Sequence, residues 1–244
     1  MDRLLEATAR AERDHFWFRG FRRFMEPLIA GVANGRRLEI LDCGCGTGHN
    51  LRMLRQYGRA YGIDLTWAGL QYAHGRGERK IARATVGALP IADGRFDLVT
   101  SFDVLYGLPE DVEQAAIAEM VRVLKPGGWA IVNVAALPWL RGNHSVLGGE
   151  LRRYRRQELT DKLEAGGLRV TRSTYTNFSI LPLVAGVRAK QRLIGHVESD
   201  EEISVPAAPV NTALSALLRL EAFALRIVNM PIGSSVMAVA RKPS

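Results

Sequence analysis

Leu38–Asn50 reads LEILDCGCGTGHN, and the reading of the chain turns on it. A short apolar run (Leu38, Ile40, Leu41) ends in Asp42. Glycines follow at alternate positions, Gly44, Gly46 and Gly48, and then Leu51, Leu54 and Tyr57 at helical spacing. The pattern predicts strand, tight turn, helix. Glycine tolerates positive φ and lets a ligand lie against bare backbone. The helix N-terminus adds unpaired N–H groups and a positive dipole end. Dinucleotide turns carry G-x-G-x-x-G. This one is G-x-G-x-G, with Asp42 two residues before the first glycine, where a carboxylate would repel a pyrophosphate. It suits a ligand with an ammonium group and no phosphate. Asp64 closes the next apolar run, Ala60–Ile63, about 20 residues on, where a βαβ unit places a ribose-binding acid.

Four blocks in order, LDCGCGTG, GIDLT, LPIADGRFDLVTSFDVL and RVLKPGGWAIV, resemble the class I S-adenosylmethionine (SAM)-dependent methyltransferases, particularly the small-molecule type 11 group. The resemblance covers residues 36–135 well and 150–177 more loosely. It implies SAM as cofactor and carries cofactor-binding positions onto Asp42, Gly44, Cys45, Gly46, Asp64, Leu65, Val86, Gly87, Ala88, Phe102 and Asp103. Trp67, Leu70 and Gln71 fall near the adenine edge. The opening, with His15-Phe-Trp-Phe18 followed by Arg19, Arg22 and Arg23, resembles a lid in which Arg19 or Arg23 pairs the methionyl carboxylate, since arginine binds carboxylates bidentately. The chain departs from the family at Thr85, where many relatives carry an acid, and at Tyr106-Gly107, where many carry Glu-His. The R-Y…E-L…G block and the loop before it make His144 and Tyr154 substrate-side candidates. Asp103 joins them as a third candidate for catalysis.

Alternating strand and helix patterns indicate an α/β, Rossmann-like doubly wound sheet. Its ligands bind outside the carboxyl ends of the strands. Strands are expected at Leu38–Asp42, Ala60–Asp64, Lys80–Val86, Phe96–Phe102, Trp129–Val134, Leu168–Thr176 and Ile232–Arg241. Helices are expected at Thr47–Tyr57, Thr66–Arg76, Asp111–Leu124 and from Arg152 to about Ala165. Lys125 suits the third helix's C-terminal dipole, and Pro126-Gly-Gly128 ends it. The chain reads as one methyltransferase domain: residues 1–33 a helical lid, 36–177 the SAM-binding core, 178–230 a helical insertion before the last strand, and 231–244 that strand. The insertion holds helices near Leu181–Ile194 and Thr212–Met230. The second is apolar nearly all round and so is expected to be buried, as a cap on the substrate pocket or as a homodimer interface. A membrane-surface role through Arg188, Lys190 and Arg192 ranks below both.

The chain has 244 residues, 47% hydrophobic and 24% charged, ordinary for a folded domain. No apolar run reaches transmembrane length and the N-terminus has no signal-peptide core, so a cytoplasmic location is expected. Cys43 and Cys45, two apart in a tight turn, are poorly placed for a disulfide. They lack partners for a metal site, and none is expected. They read as small apolar residues under the turn. The net charge of +8 raises nucleic acid or acidic lipid as partners. The positive charge is scattered arginine doublets without a nucleic-acid motif. Phe102-Asp-Val-Leu-Tyr-Gly107 also lacks the Asn/Asp-Pro-Pro-aromatic motif of base N-methylation. The expected acceptor is a small molecule, apolar or anionic, in a biosynthetic pathway. Peptide or RNA methylation and a SAM-binding, non-catalytic partner subunit are the alternatives. An NAD-dependent oxidoreductase fits worst.

Overall fold

The computed structural model describes residues 2–141, 149–194 and 204–244. Strands β1 (Leu38–Cys43), β2 (Gly58–Asp64), β3 (Ile81–Arg83), β4 (Phe96–Phe102), β5 (Leu124–Ala135), β6 (Arg169–Thr176) and β7 (Ser235–Arg241) make one seven-stranded sheet in the order β3-β2-β1-β4-β5-β7-β6. The first five run parallel, and β7 enters antiparallel between β5 and β6. The central strands are buried along nearly their whole length. That is why LEILDC and FDLVTSF read as continuous apolar runs: parallel strands are covered on both faces. The chain leaves β1 toward β2 and β3, then returns to place β4 on its other side. The crevice at a topological switch point opens there.

The helices are α1 (Asp2–Ala11), α2 (Phe16–Ala33), α3 (His49–Leu54), α4 (Trp67–Gly75), α5 (Glu110–Val123), α6 (Arg156–Ala165), α7 (Leu181–Ile194) and α8 (Ala208–Ala224). Several differ from the sequence reading for local reasons. The helix expected over Thr47–Tyr57 shrinks to α3, because Gly48 caps it at φ 76° and Tyr57 closes a turn back to the Leu54 carbonyl. Pro126-Gly-Gly lies within β5, where the pairing with β4 shifts register between Phe96 and Leu98. Lys125 therefore pairs with Asp97 at 2.8 Å, in place of facing a helix end. β3 is confined to Ile81–Arg83 at the sheet edge. α6 begins at Arg156, which leaves Tyr154 in a parallel bridge with Ala136.

α2 is tied to the insertion. Asn211 at the start of α8 accepts from the Phe16 N–H at 2.8 Å and donates to the Asp14 carbonyl at 2.9 Å. A Cβ on Gly20 would lie 2.3 Å from Leu218 Cδ1, so the glycine sets how closely α2 and α8 approach. α8 thus backs α2, while α7 packs on the turn Pro138–Leu140 that follows β5. The second insertion helix, expected to be buried against a neighbour, has α2 on its inner side. Its inner residues Leu218, Ala222 and Leu225 are buried, but Leu217, Leu220 and Phe223 are exposed, as are Ile227 and Val228 just beyond it.

Gly20→Val should overpack this contact and lower stability by about 1–3 kcal/mol in urea unfolding. A neutral result would mean that α8 does not rest on α2 as described.

Candidate active site

The Gly-rich turn after β1 hangs on the end of β2. The Gly44 and Cys45 N–H groups both donate to the Ile63 carbonyl, at 2.8 and 2.9 Å. The Gly46 N–H donates to Asp64 Oδ2 at 2.8 Å. Asp64 Oδ1 accepts from the Thr66 N–H at 2.8 Å and its hydroxyl at 2.5 Å. Gly44 (φ 87°) could not carry a side chain, since a Cβ would sit 2.2 Å from Val104 Cγ2. Gly46 (φ 49°) has no atom within 4 Å of its missing Cβ, so bare backbone faces open space there. That is the cradle a ligand lying on the turn requires.

Asp42 lies beneath the turn, 1% exposed, and accepts from the Thr100 hydroxyl at 2.7 Å across the β1–β4 pair. Burial pushes its carboxyl up to about 7; the Thr100 bond opposes this and Asp64 adds to it. Cys43 and Cys45 are buried free thiols, pushed up by the same burial. Leu65 is exposed, Val86 is buried and Ala88 is exposed on the rim. Where relatives carry an acid, the Thr85 hydroxyl accepts from the Gly87 N–H at 3.3 Å.

Asp103 follows β4 directly at φ 59°, a conformation uncommon for a residue with a side chain. Its N–H donates to the Asn133 carbonyl, and its Oδ1 accepts from Asn133 Nδ2, both at 2.9 Å. The residue is exposed, yet protein crowds its carboxyl. That crowding pushes the carboxyl up to about 7; Asn133 opposes the shift, Glu150 adds to it and Arg153 opposes it. Glu150 and Arg153 are locked together by bonds of 2.5 and 3.0 Å. Tyr106 belongs to the same cluster, its phenol pushed up by burial and then by Asp103 and Glu150. Asn133 Oδ1 is buried and has no hydrogen-bond partner among the described residues.

The structure separates the three catalytic candidates. Asp103 is exposed at the carboxyl end of β4. Tyr154 is 0% exposed, and its hydroxyl donates to Glu113 Oε1 at 2.6 Å. Glu113 also takes Arg152 and Lys162. As placed, Tyr154 holds the 149–155 segment on α5 and shows no face to a substrate. His144 lies outside the described residues.

The N-terminal segment folds over the turn. Glu12, buried, accepts from the Thr47 hydroxyl at 2.9 and 2.7 Å and pairs with Arg76. Arg76 also donates to the Thr47 and Ala9 carbonyls, at 3.1 and 3.0 Å. Phe21 meets Phe102 edge-on at 5.0 Å over the end of β4. Of the arginines, Arg19 is exposed and Arg23 donates to the Ser215 carbonyl at 3.2 Å. Arg22 donates to the Glu12 carbonyl at 3.0 Å and faces His49, which burial and then Arg22, Arg76 and Arg52 push down to about 4. Sequence reasoning missed Glu12, Thr47 and Arg76. The one signal was an acid, Glu12, beside the apolar positions Ala7 and Ala11.

The strand order and the antiparallel seventh strand are those of the class I methyltransferase fold. Residues 41–132 match the family model described as a methyltransferase domain. Malonyl-[acyl-carrier protein] O-methyltransferase of Pseudescherichia vulneris is 33% identical over 109 residues, 44% of this chain and 43% of that protein. Demethylmenaquinone methyltransferase of Tropheryma whipplei is 37% identical over 108 residues, 43% and 44% of the two chains. The chain thus spans less than half the length of these relatives. A SAM-dependent methyltransferase structure from Thermotoga maritima superposes with TM-score 0.61 at 17% identity, over 97% of this chain and 94% of that one. A chain from the complex of the Haloferax volcanii Trm112 methyltransferase activator with a methyltransferase gives 0.57 at 20% identity, over 98% of each.

Tyr154→Phe should lower stability by about 1–3 kcal/mol, because it leaves an oxygen of buried Glu113 short of a donor, while SAM affinity by calorimetry stays unchanged. Lost SAM binding in a folded variant would place Tyr154 in the site after all.

Proposed function

We propose that the chain transfers a methyl group from SAM to a small-molecule acceptor in a biosynthetic reaction. One observation carries this. The bare Gly46 backbone, Asp64 and the exposed Asp103 lie at the carboxyl ends of the parallel strands β1, β2 and β4. The bound cofactor supplies an electrophilic methyl on a sulfonium. The chain's own residues supply binding, alignment and a dry pocket. Asp64 faces the ribose hydroxyls, and Val86–Ala88 with Leu65 border the adenine. Arg22, in place of Arg19, faces the carboxylate end, and Asp42 sets a negative field for the ammonium from beneath. Phe21 on Phe102 roofs the cleft in the manner of a lid.

Asp103 is the proton acceptor for a weak nucleophile such as a hydroxyl, because a base works best with a pKa near the operating pH. The names of the two relatives, an O-methyltransferase and a demethylmenaquinone methyltransferase, support a small or carrier-borne acceptor. The doublet Arg152-Arg153 pairs with Glu110, Glu113 and Glu150, which argues against a nucleic-acid surface there.

Calorimetry tests the cofactor reading. SAM should bind and NAD should not, and Asp64→Ala should weaken SAM at least about tenfold, since a hydrogen bond to a charged group contributes about 1.5–3 kcal/mol. No SAM binding to the folded chain would overturn it.

Carbon-13 carboxyl NMR tests the base. Asp103 should titrate near 7, and a midpoint in the ordinary carboxylate range would remove it. Asp42 and Asp103 both hold protons more tightly folded than unfolded. Their contribution to stability is therefore full below the ordinary carboxylate range and is lost as pH rises through about 7.

A further inference from the structure

We propose that the outer face of α8 docks the protein on an anionic lipid bilayer. α8 carries two apolar faces. The inner one, with Leu218 and Ala222, packs on α2. The outer one is presented to solvent: Leu220 is 69% exposed, Phe223 64% and Ile227 78%, with Val210, Leu217 and Val228 beside them. Helical spacing gathers these side chains on one arc of the helix and its trailing turn.

Charge selects the occupant. Arg219 and Arg226 border the arc on the side of α2. Among the described residues neither makes a side-chain hydrogen bond or ion pair. They converge with Arg23 on a groove of about 470 Å³ that Phe223, Tyr57 and Glu26 also line. Glu26 is the groove's one acid. Arg219 lies near enough to Arg23 to disfavour its charge, after the effect of burial and of Arg19. The only acid of α8, Glu221, is buried and spent on the Phe178 and Ser179 N–H groups at 2.9 Å each. The exposed charge of α8 is therefore entirely positive. A second copy joined through this face would bring the same arginines toward their own kind. Apolar side chains that enter the acyl boundary, edged by arginines that reach phosphate, are the pattern of an interfacial helix. The chain's net +8 adds long-range attraction to an acidic leaflet.

The test is flotation of the full-length protein with phosphatidylcholine vesicles and with mixed phosphatidylcholine–phosphatidylglycerol vesicles, at low and high salt. Binding to the mixed vesicles alone, weakened by salt, is expected. Arg219→Gln and Arg226→Gln should each lower it roughly fivefold, as one basic residue at an acidic surface implies. Phe223→Ser with Ile227→Ser should abolish it. All four positions lie outside the core, and an unchanged unfolding midpoint verifies the fold. The proposal fails if neither vesicle binds, or if the variants bind like the parent. It also fails if light scattering shows a dimer that Phe223→Ser with Ile227→Ser dissolves, which would give the face to a second copy. Saturable binding of an acidic peptide with no vesicle binding would give it to a protein partner. None of these outcomes depends on the acceptor or on SAM binding.

Discussion

The dipeptide Ile63-Asp64 holds the cofactor turn. One carbonyl takes two successive N–H groups, and one carboxylate takes a third together with the start of α4. Buried backbone donors must be satisfied, and while the Gly48 N–H bonds the Cys45 carbonyl inside the turn, those of Gly44, Cys45 and Gly46 are satisfied by the end of β2. The end of β2 therefore determines where the turn lies. A carboxylate has about four acceptor positions, and Asp64 commits three to Gly46 and Thr66. The fourth position, on Oδ2, is the one that the proposed function gives to a ligand.

A second constraint sets the acceptor side. Glu113 on α5 is fully buried and gathers Tyr154, Arg152 and Lys162. A buried carboxylate that loses a partner is costly, so this cluster fixes the path of residues 150–155. That path delivers Glu150 and Arg153 to Asp103, and those two groups oppose each other in their effect on its carboxyl. The Arg152-Arg153 doublet is paired with acids here, so a doublet in the sequence does not by itself mark a partner surface.

The β1–turn–α3 unit, β2, β4 and their acids were legible because their signals are local: apolar runs, glycine spacing, an acid at a strand end. The rest depends on pairs far apart in sequence. Glu12 meets Thr47 across 35 residues, Tyr154 meets Glu113 across 41, and Asn211 meets Phe16 across 195. No periodicity announces such pairs. Arg19, Arg22 and Arg23 show the same limit at short range. They differ only in their angle around α2, and choosing among them requires knowing that α8 takes one side of α2 and the Gly-rich turn another. Tyr154 was read as opening a helix. Two residues of extended backbone before α6 turn it inward instead.

α8 shows why an all-round apolar helix is ambiguous in sequence. Burial in a core and display at an interface demand the same composition, and only the placement of the neighbours separates them. Here α8 has α2 on one side alone. Through Gly20 against Leu218, and Asn211 against the start of α2, it sets the position of the helix whose Phe21 covers Phe102. The outer face and Phe21 therefore belong to the two helices of one packed pair. If occupying the outer face shifts α8, the roof shifts with it, and linkage requires that cofactor binding alter the outer contact by the same factor. If α8 holds still, the two sites are independent however close they lie, because a ligand moves an equilibrium only by its differential affinity for the two states.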